Sequence, residues 1–184
     1  MENSVTAEWR IRPLGEGETV SLFTCGDADL DDYIVNESAL YQSQLLSANY
    51  VLENSNSDLI AFFTLLNDRI CISDFTNTTE FNRFRKRRFT QDKRIKGYPA
   101  VKIGRLGVSL NMRNNGLGSI LLDFIKTYFI RHRRTGCRFL TVDAYHQSVG
   151  FYEKNGFVRM NDIQIGNTCL MYYGRNFRKG KSIY

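Results

Sequence analysis

RNNGLGSILLDF, residues 113–124, places two asparagines and two glycines directly before an apolar run with helical spacing. The first N–H groups of a helix have no partner within the helix, and they carry the positive end of its dipole. Glycine has no Cβ, so an anion can approach such amides closely. The stretch predicts a strand-to-helix loop that binds an anion, and a plain turn is the alternative that the pattern leaves open.

Arg113, at the head of this loop, adds a charged donor that suits a diphosphate. Two other phosphate motifs do not occur in the loop. The pattern G-x-G-x-x-G is absent, and no Gly-Lys-Ser/Thr follows the glycines. The loop therefore predicts a diphosphate ligand without a dinucleotide-binding fingerprint or a P-loop.

Strand-like and helix-like segments alternate on both sides of the loop. Upstream, EWRIRPL predicts a strand, Asp27 or Asp29 can cap a helix, ANYVLEN and LIAFFTLLN predict a hairpin, and AVKIGRLGVS predicts a strand that ends at Val108. Downstream, we expect a long helix closed by Gly136, a strand CRFLTVDAY, a short helix ending at Gly156 and a strand TCLMYYG. This order predicts an α/β (α+β) fold, in which helices pack over a mixed sheet.

The chain has the size and composition of one globular domain, and we expect a single domain over residues 1–184. The first residues lack the features of a secretory signal, and Asp123 and Lys126 interrupt the most apolar helix. We therefore expect a cytoplasmic protein without a membrane span. No metal site is expected, because the four cysteines occur singly and only two histidines are present.

The formal net charge of +6 is concentrated in FNRFRKRRFTQDKRIKGY, residues 81–98. Between residues 83 and 96, a single acid, Asp92, faces eight cations: Arg83, Arg85, Lys86, Arg87, Arg88, Lys93, Arg94 and Lys96. Such a cluster attracts polyanions, such as nucleic acid. The alternative is the solvated face of a helix.

The strand GRLGVS, the loop RNNGLG, the helix, the strand FLTVDA and the segment FYEKNGF together resemble the acetyl-CoA-binding half of the GNAT N-acetyltransferase superfamily. The resemblance covers about residues 100–160, with the pattern R/Q-x-x-G-x-G/A and, downstream, F-Y-x-x-x-G-F. It implies a mostly antiparallel central sheet, splayed at the acetyl-CoA site and flanked by helices.

The same resemblance implies a set of residues that hold acetyl-CoA as co-substrate. Main-chain groups of Leu106, Gly107 and Val108 are expected to pair with the pantetheine arm. The residues expected around the phosphates are Arg113, Asn114, Asn115, Gly116, Leu117, Gly118 and Ser119.

Tyr152 matches the tyrosine of the F-Y-x-x-x-G-F pattern. The resemblance implies direct transfer of the acetyl group to a primary amine, with Tyr152 as the general acid that protonates the leaving sulfur. The alternative is a core tyrosine whose hydroxyl bonds to the backbone. Two positions depart from the family pattern, with Tyr145 in place of Asn or Asp and Asn115 in place of Lys, Arg or Gln. No general base stands out among the candidate carboxylates, which are Glu53, Asp68 and Asp143.

LFTCGDADLDDYIVNESA, residues 22–39, resembles the F-x-C-G-x-x-x-L-D opening of the GNAT subgroup that contains tRNA-acetylating toxins. That resemblance implies acetylation of aminoacyl-tRNA, a homodimer and a ribbon-helix-helix antitoxin partner. Relative to this subgroup, residues 73–99 form a longer, basic insertion, and Gly107 replaces the usual alanine. Two alternatives remain: a catalytically silent protein that binds CoA, and an RNA-binding protein without transferase activity.

Overall fold

The computed structural model describes residues 9–90, 93–131, 136–160 and 166–174. Seven strands in this part of the chain form one sheet, in the order β1-β2-β3-β4-β5-β7-β6. The strands are β1 (Arg10–Pro13), β2 (Ala48–Glu53), β3 (Leu59–Cys71), β4 (Gly97–Val108), β5 (Phe139–Tyr145), β6 (Val158–Arg159) and β7 (Thr168–Gly174). The pair β4–β5 is parallel, whereas β1–β2, β2–β3, β5–β7 and β6–β7 are antiparallel.

Five α-helices accompany the sheet in the described residues. They are α1 (Ala28–Asp32), α2 (Ser38–Ser43), α3 (Thr78–Arg88), α4 (Leu117–Ile125) and α5 (Val149–Lys154). A π-helical segment, Tyr33–Glu37, joins α1 to α2, and another, Lys126–Arg131, continues α4. The mixed, mostly antiparallel sheet flanked by helices confirms the predicted fold class. No helix in the described part of the chain is long and apolar enough to cross a membrane.

The predicted strands and the β2–β3 hairpin are present with few changes of boundary. Asp27 caps α1 by accepting the Asp29 and Leu30 amides at 3.1 and 3.2 Å, so the first of the two proposed caps is the one used. The basic stretch contains the second half of the eleven-residue α3, which starts where the Asn77 side chain accepts the Glu80 amide at 3.0 Å. The proposed closure of the long helix by Gly136 depends on residues 132–135, which lie outside the described residues.

The chain divides into two compact units. The first contains residues 1–66 and 103–124, and its core includes Phe23, Tyr33 and Phe62. The second contains residues 67–102 and 125–184, and its core is dominated by aromatic rings, including Phe75, Phe84, Tyr98, Phe139 and Tyr172. The single domain over residues 1–184 stays a prediction.

Candidate functional site

The glycine-rich loop between β4 and α4 has the backbone of a tight, open turn. A single 3₁₀ turn, Leu110–Met112, follows β4, and Asn114 and Gly116 then adopt positive φ angles of 63° and 75°. Gly116 is exposed, and a Cβ built there would meet nothing within 4 Å. The backbone therefore approaches solvent, or a ligand, without a side chain in the way.

The first amides of α4 lie directly after this loop. The Gly116 carbonyl accepts the Ser119 and Ile120 N–H groups at 3.0 and 3.2 Å, which closes the first turn. The amides of Leu117 and Gly118 precede these bonds, and helix geometry offers them no carbonyl within the helix. Leu117 is 1% exposed and anchors the helix in the core. The helix start thus combines a fixed position with amides that suit an anion.

Arg113 turns its side chain away from the glycines. Its Nη2 donates to the Cys25 carbonyl, and it lies 3.5 Å from the position that a Cβ on Gly26 would occupy. A guanidinium has five N–H donors, so this one bond does not exclude a contact with a phosphate. The expected contact of Arg113 with a phosphate stays a prediction.

The F-x-C-G-x-x-x-L-D segment, within residues 22–39, is hydrogen-bonded to the start of the loop. The sequence pattern alone did not indicate this role. The Asp31 carboxylate accepts the Cys25 amide at 2.7 Å and the Thr24 hydroxyl at 2.9 Å. The Thr24 carbonyl in turn accepts the Leu110 amide at 3.0 Å. Burial raises the pKa of Asp31, but the hydrogen bonds from Cys25 and Thr24 outweigh burial and hold it below its usual range. Asp31 is therefore ionised at neutral pH and ties residues 24–26 to the start of the loop.

The last part of β4 passes close to the aromatic core of the first unit. The parallel pairing of β4 with β5 runs from Ala100 to Lys102, so Leu106, Gly107 and Val108 lie beyond its last paired residue. Gly107 is buried, and a Cβ there would lie 2.6 Å from Cε1 of Phe62. The Phe62 ring thus fills the space that the alanine of the toxin pattern would need.

Tyr152 lies on α5, in the second unit. Its side chain is 7% exposed, and its ring packs edge-on against Phe151 and Phe157, with centroids 5.1 and 5.3 Å away. Burial raises the pKa of Tyr152 to about 12, so the hydroxyl keeps its proton at neutral pH. No hydrogen bond to that hydroxyl is found among the residues that the structure describes. The ring is packed as in the alternative of a core tyrosine, but its hydroxyl makes no hydrogen bond to the backbone of the described residues.

The three carboxylates considered as general bases each have a partner. Glu53 pairs with Arg12 at 2.5 Å, Asp143 pairs with Lys102, and Asp68 accepts a hydrogen bond from the Thr141 hydroxyl. Each therefore has a structural role in its own neighbourhood. None of them is a free carboxylate that stands ready to accept a proton from an amine.

The basic stretch places its side chains on a three-turn helix. Phe81 and Phe84 of α3 are buried, whereas Arg83, Lys86 and Arg87 are exposed. The helix is amphipathic, as the alternative of a solvated face requires, and it also presents cations to solvent. Asp92, the acid within this stretch, lies outside the described residues.

Comparison with known proteins shows which family model and which solved structures this chain is similar to. A family model described as the acetyltransferase (GNAT) domain matches residues 88–172. Among solved structures, a bacterial toxin has 17% identity and a TM-score of 0.74, and the alignment covers 91% of each chain. AtaT complexed with acetyl-methionyl-tRNAfMet has 16% identity and a TM-score of 0.69, over 89% of this chain and 94% of AtaT.

A tyrosine-to-phenylalanine variant of AtaT, bound to acetyl-CoA and the C-terminus of the antitoxin AtaR, has 16% identity and a TM-score of 0.64. That alignment covers 91% of this chain and 93% of AtaT. Identities this low show a shared fold, and the fold is the one that the sequence resemblance predicted. Residues 88–172 therefore match the GNAT acetyltransferase domain, in agreement with the sequence resemblance.

Proposed function

We propose that this protein transfers the acetyl group of acetyl-CoA to a primary amine. The observation that carries the proposal is the exposed turn at residues 113–116, which leads into first-turn amides without intrahelical partners. Main-chain amides of Gly116, Leu117 and Gly118 would bind the diphosphate of CoA, with Asn114, Asn115 and Ser119 around it. The backbone of Leu106–Val108, beyond the last residue of β4 that pairs with β5, would pair with the pantetheine arm.

We assign the role of general acid to Tyr152. In the reaction, the amine nitrogen bonds to the thioester carbon, the carbon–sulfur bond breaks, and the sulfur leaves with its electron pair. The Tyr152 hydroxyl donates its proton to that sulfur as negative charge develops, the nitrogen releases one proton to water, and solvent returns a proton to the phenol. Support comes from a hydroxyl that is protonated at neutral pH and that has no hydrogen-bond partner among the described residues.

Calorimetric titration with acetyl-CoA tests the loop. Gly116→Val places a side chain over the amides, and we expect acetyl-CoA affinity to fall about tenfold or more, as for the loss of a charge-assisted hydrogen bond. Gly17→Val is the matched control, because Gly17 also has a positive φ (70°) and open space around it. It imposes similar backbone strain elsewhere and should leave the affinity unchanged. Equal affinity of the Gly116 variant and the wild type would show that the loop is only a turn.

Steady-state kinetics test Tyr152. Tyr152→Phe keeps the ring and its contacts with Phe151 and Phe157 but removes the proton donor. We expect kcat to fall by about 10² or more while acetyl-CoA affinity stays near that of the wild type. Unchanged turnover would remove Tyr152 from the catalytic role.

We further propose aminoacyl-tRNA as the acceptor. AtaT, which shares the fold, was solved with acetyl-methionyl-tRNAfMet, and α3 presents exposed cations at Arg83, Lys86 and Arg87. An α-amino group has a pKa of about 7.7–8.0 and is partly neutral at neutral pH. Such an acceptor needs no dedicated carboxylate base, in agreement with the paired state of Glu53 and Asp143.

The acceptor is identified by incubating the protein with labelled acetyl-CoA and separate pools of aminoacyl-tRNA, peptides and polyamines. We expect label in the tRNA pool. Label only in peptides or polyamines would overturn aminoacyl-tRNA as the acceptor and leave the transferase proposal intact. No label in any pool would overturn both proposals. A ribbon-helix-helix antitoxin and a homodimer stay predictions from the sequence resemblance.

A further inference from the structure

An arginine-lined cavity of about 300 Å³ lies between α3 and the β6–β7 edge, within the second unit. Residues 80, 83, 84, 87 and 88 are spaced by three and four, so they share the face of α3 that lines the cavity. Arg159 and Met160 lie opposite. The volume is at the small end of ligand pockets, enough for a mononucleotide and too small for a duplex.

Two of the exposed cations of this cavity, Arg83 and Arg87, have no acidic partner within the described part of the chain. Among the described residues, neither Arg83 nor Arg87 has a carboxylate within 4 Å, and Arg159 pairs at 3.0 Å with Glu153. Glu80 is the one acid among the lining residues. Apart from the paired Arg159, the lining thus carries three guanidinium groups and one carboxylate, an arrangement that an anion would stabilise.

Arg88 is held in place at the floor of the cavity. Its guanidinium lies 4.5 Å from the centre of the Phe84 ring and 5.2 Å from that of Tyr172, and it donates to the Tyr172 hydroxyl. Burial raises the pKa of Tyr172, while the charges of Arg88 and Arg87 and the hydrogen bond from Arg88 oppose that rise. A fixed cation beside two exposed arginines is a preorganised anion site.

We propose that this cavity binds the phosphate of a nucleotide, with Arg83 and Arg87 on the phosphate oxygens and Arg88 as the fixed cation beneath them. Guanidinium groups match phosphate oxygens in a bidentate geometry, and their planes also stack on bases. The buried Phe75 and Met160 form an apolar floor for the sugar or base. The nucleotide is either a unit of RNA or a free mononucleotide. Only the RNA alternative depends on the proposal that aminoacyl-tRNA is the acceptor.

The test is fluorescence anisotropy with a fluorescein-labelled, single-stranded RNA decamer, followed by competition with AMP. Arg83→Ala/Arg87→Ala removes two cations from the cavity. Lys86→Ala/Lys96→Ala is the matched control, because it removes two exposed cations of the same basic stretch that do not line the cavity. We expect the arginine pair to weaken RNA binding about tenfold or more and to lower the salt slope by about one, and the lysine pair to change affinity only about twofold.

Glu80→Gln removes the one acid of the lining and should tighten RNA binding about two- to fivefold. If AMP displaces the RNA from the wild type and binds more weakly to the arginine variant, the site is supported and its ligand is a free nucleotide. RNA binding that AMP does not displace, yet that depends on Arg83 and Arg87, would support the site with RNA as its source.

Equal weakening by the arginine and lysine pairs would show diffuse attraction and would overturn the cavity site, as would absence of binding of both probes by the wild type. Calorimetric titration with acetyl-CoA, on the same preparations, separates this result from the proposed function. The arginine variant should keep the wild-type affinity for acetyl-CoA, and thermal unfolding checks that each variant is folded. Failure of the wild type to bind acetyl-CoA, with retained nucleotide binding, would count against the transferase proposal alone.

Discussion

Replacing Gly107 by alanine should destabilise the protein, even though alanine is the usual residue at this position in the toxin pattern. The added Cβ would lie 2.6 Å from Cε1 of Phe62 and 3.3 Å from Cε1 of Phe23. The first distance is about 1 Å shorter than the separation at which carbon atoms normally meet. Phe62 is fully buried and packs edge-on against Phe23, with centroids 5.3 Å apart, so it has little room to move.

The magnitude follows from two opposing effects. Overpacking a core costs about 1–3 kcal/mol, while replacing glycine by alanine at a compatible φ returns about 0.5–1 kcal/mol of chain entropy. Gly107 does not have a positive φ, so that entropic gain applies here. The net expectation is a loss of about 1–2 kcal/mol, or about 2–8 °C in Tm for a chain of this size.

Thermal and urea unfolding of four proteins form the assay: wild type, Gly107→Ala, Phe62→Leu and the double variant. Leucine lacks the ring carbon nearest to Gly107, so the double variant should be more stable than the sum of the single losses predicts, by about 1 kcal/mol. Gly150→Ala is the control, because Gly150 is exposed on α5 and its Cβ would meet nothing within 4 Å. A neutral Gly107→Ala, or additive losses in the double variant, would refute the steric argument.

Three other predictions follow from single groups. Asp31→Ala should weaken acetyl-CoA binding about three- to tenfold in calorimetry, because the loop before α4 loses the carboxylate that holds residues 24 and 25. Asp32→Ala is the control: it breaks only a surface hydrogen bond to Asn36 and should leave the affinity unchanged. The pKa of Tyr152 is raised from 10 in the unfolded chain to about 12 in the folded state, so between these pH values the folded state keeps a proton that the unfolded chain loses. Denaturation at stepped pH should therefore show the free energy of unfolding of the wild type falling by about 2–3 kcal/mol relative to Tyr152→Phe between pH 10 and 12. Parallel curves for the two proteins would contradict the shift. Burial raises the pKa of Cys25 to about 11, so iodoacetamide at pH 8 should modify the half-buried Cys71 before Cys25. Mass spectrometry maps the labelled cysteines, and faster labelling of Cys25 would count against its burial.

Patterns that act over a few residues made much of the fold predictable. Alternating and i, i+3, i+4 apolar spacing identified the hairpin and α4, since burial of one face imposes these periods. Asp27 was predicted as a cap because its side chain reaches amides only two and three residues away. Asn77 with Glu80 is the same kind of signal for α3 and would have predicted its start. The two-residue β6 is too short to show any period.

The chemical character of the candidate site was also local in origin. Glycines before an apolar helix indicate exposed amides, because both the missing Cβ atoms and the unpaired N–H groups belong to neighbouring residues. The environment of Tyr152 was not local. Its burial depends on the packing of α5, and that burial raises the pKa of its hydroxyl to about 12.

By itself, then, the sequence determined the order of strands and helices, the amide-rich entrance to α4 and the positive charge of residues 83–96. Only the tertiary structure decided which distant groups meet: Arg113 with the Cys25 carbonyl 88 residues away, Phe62 against Gly107, and Arg159 opposite the arginines of α3. Periodicity and capping arise between neighbours in the chain and can be read along it. The direction of a side chain and the partner of a charge arise from packing between distant segments, which no local pattern encodes.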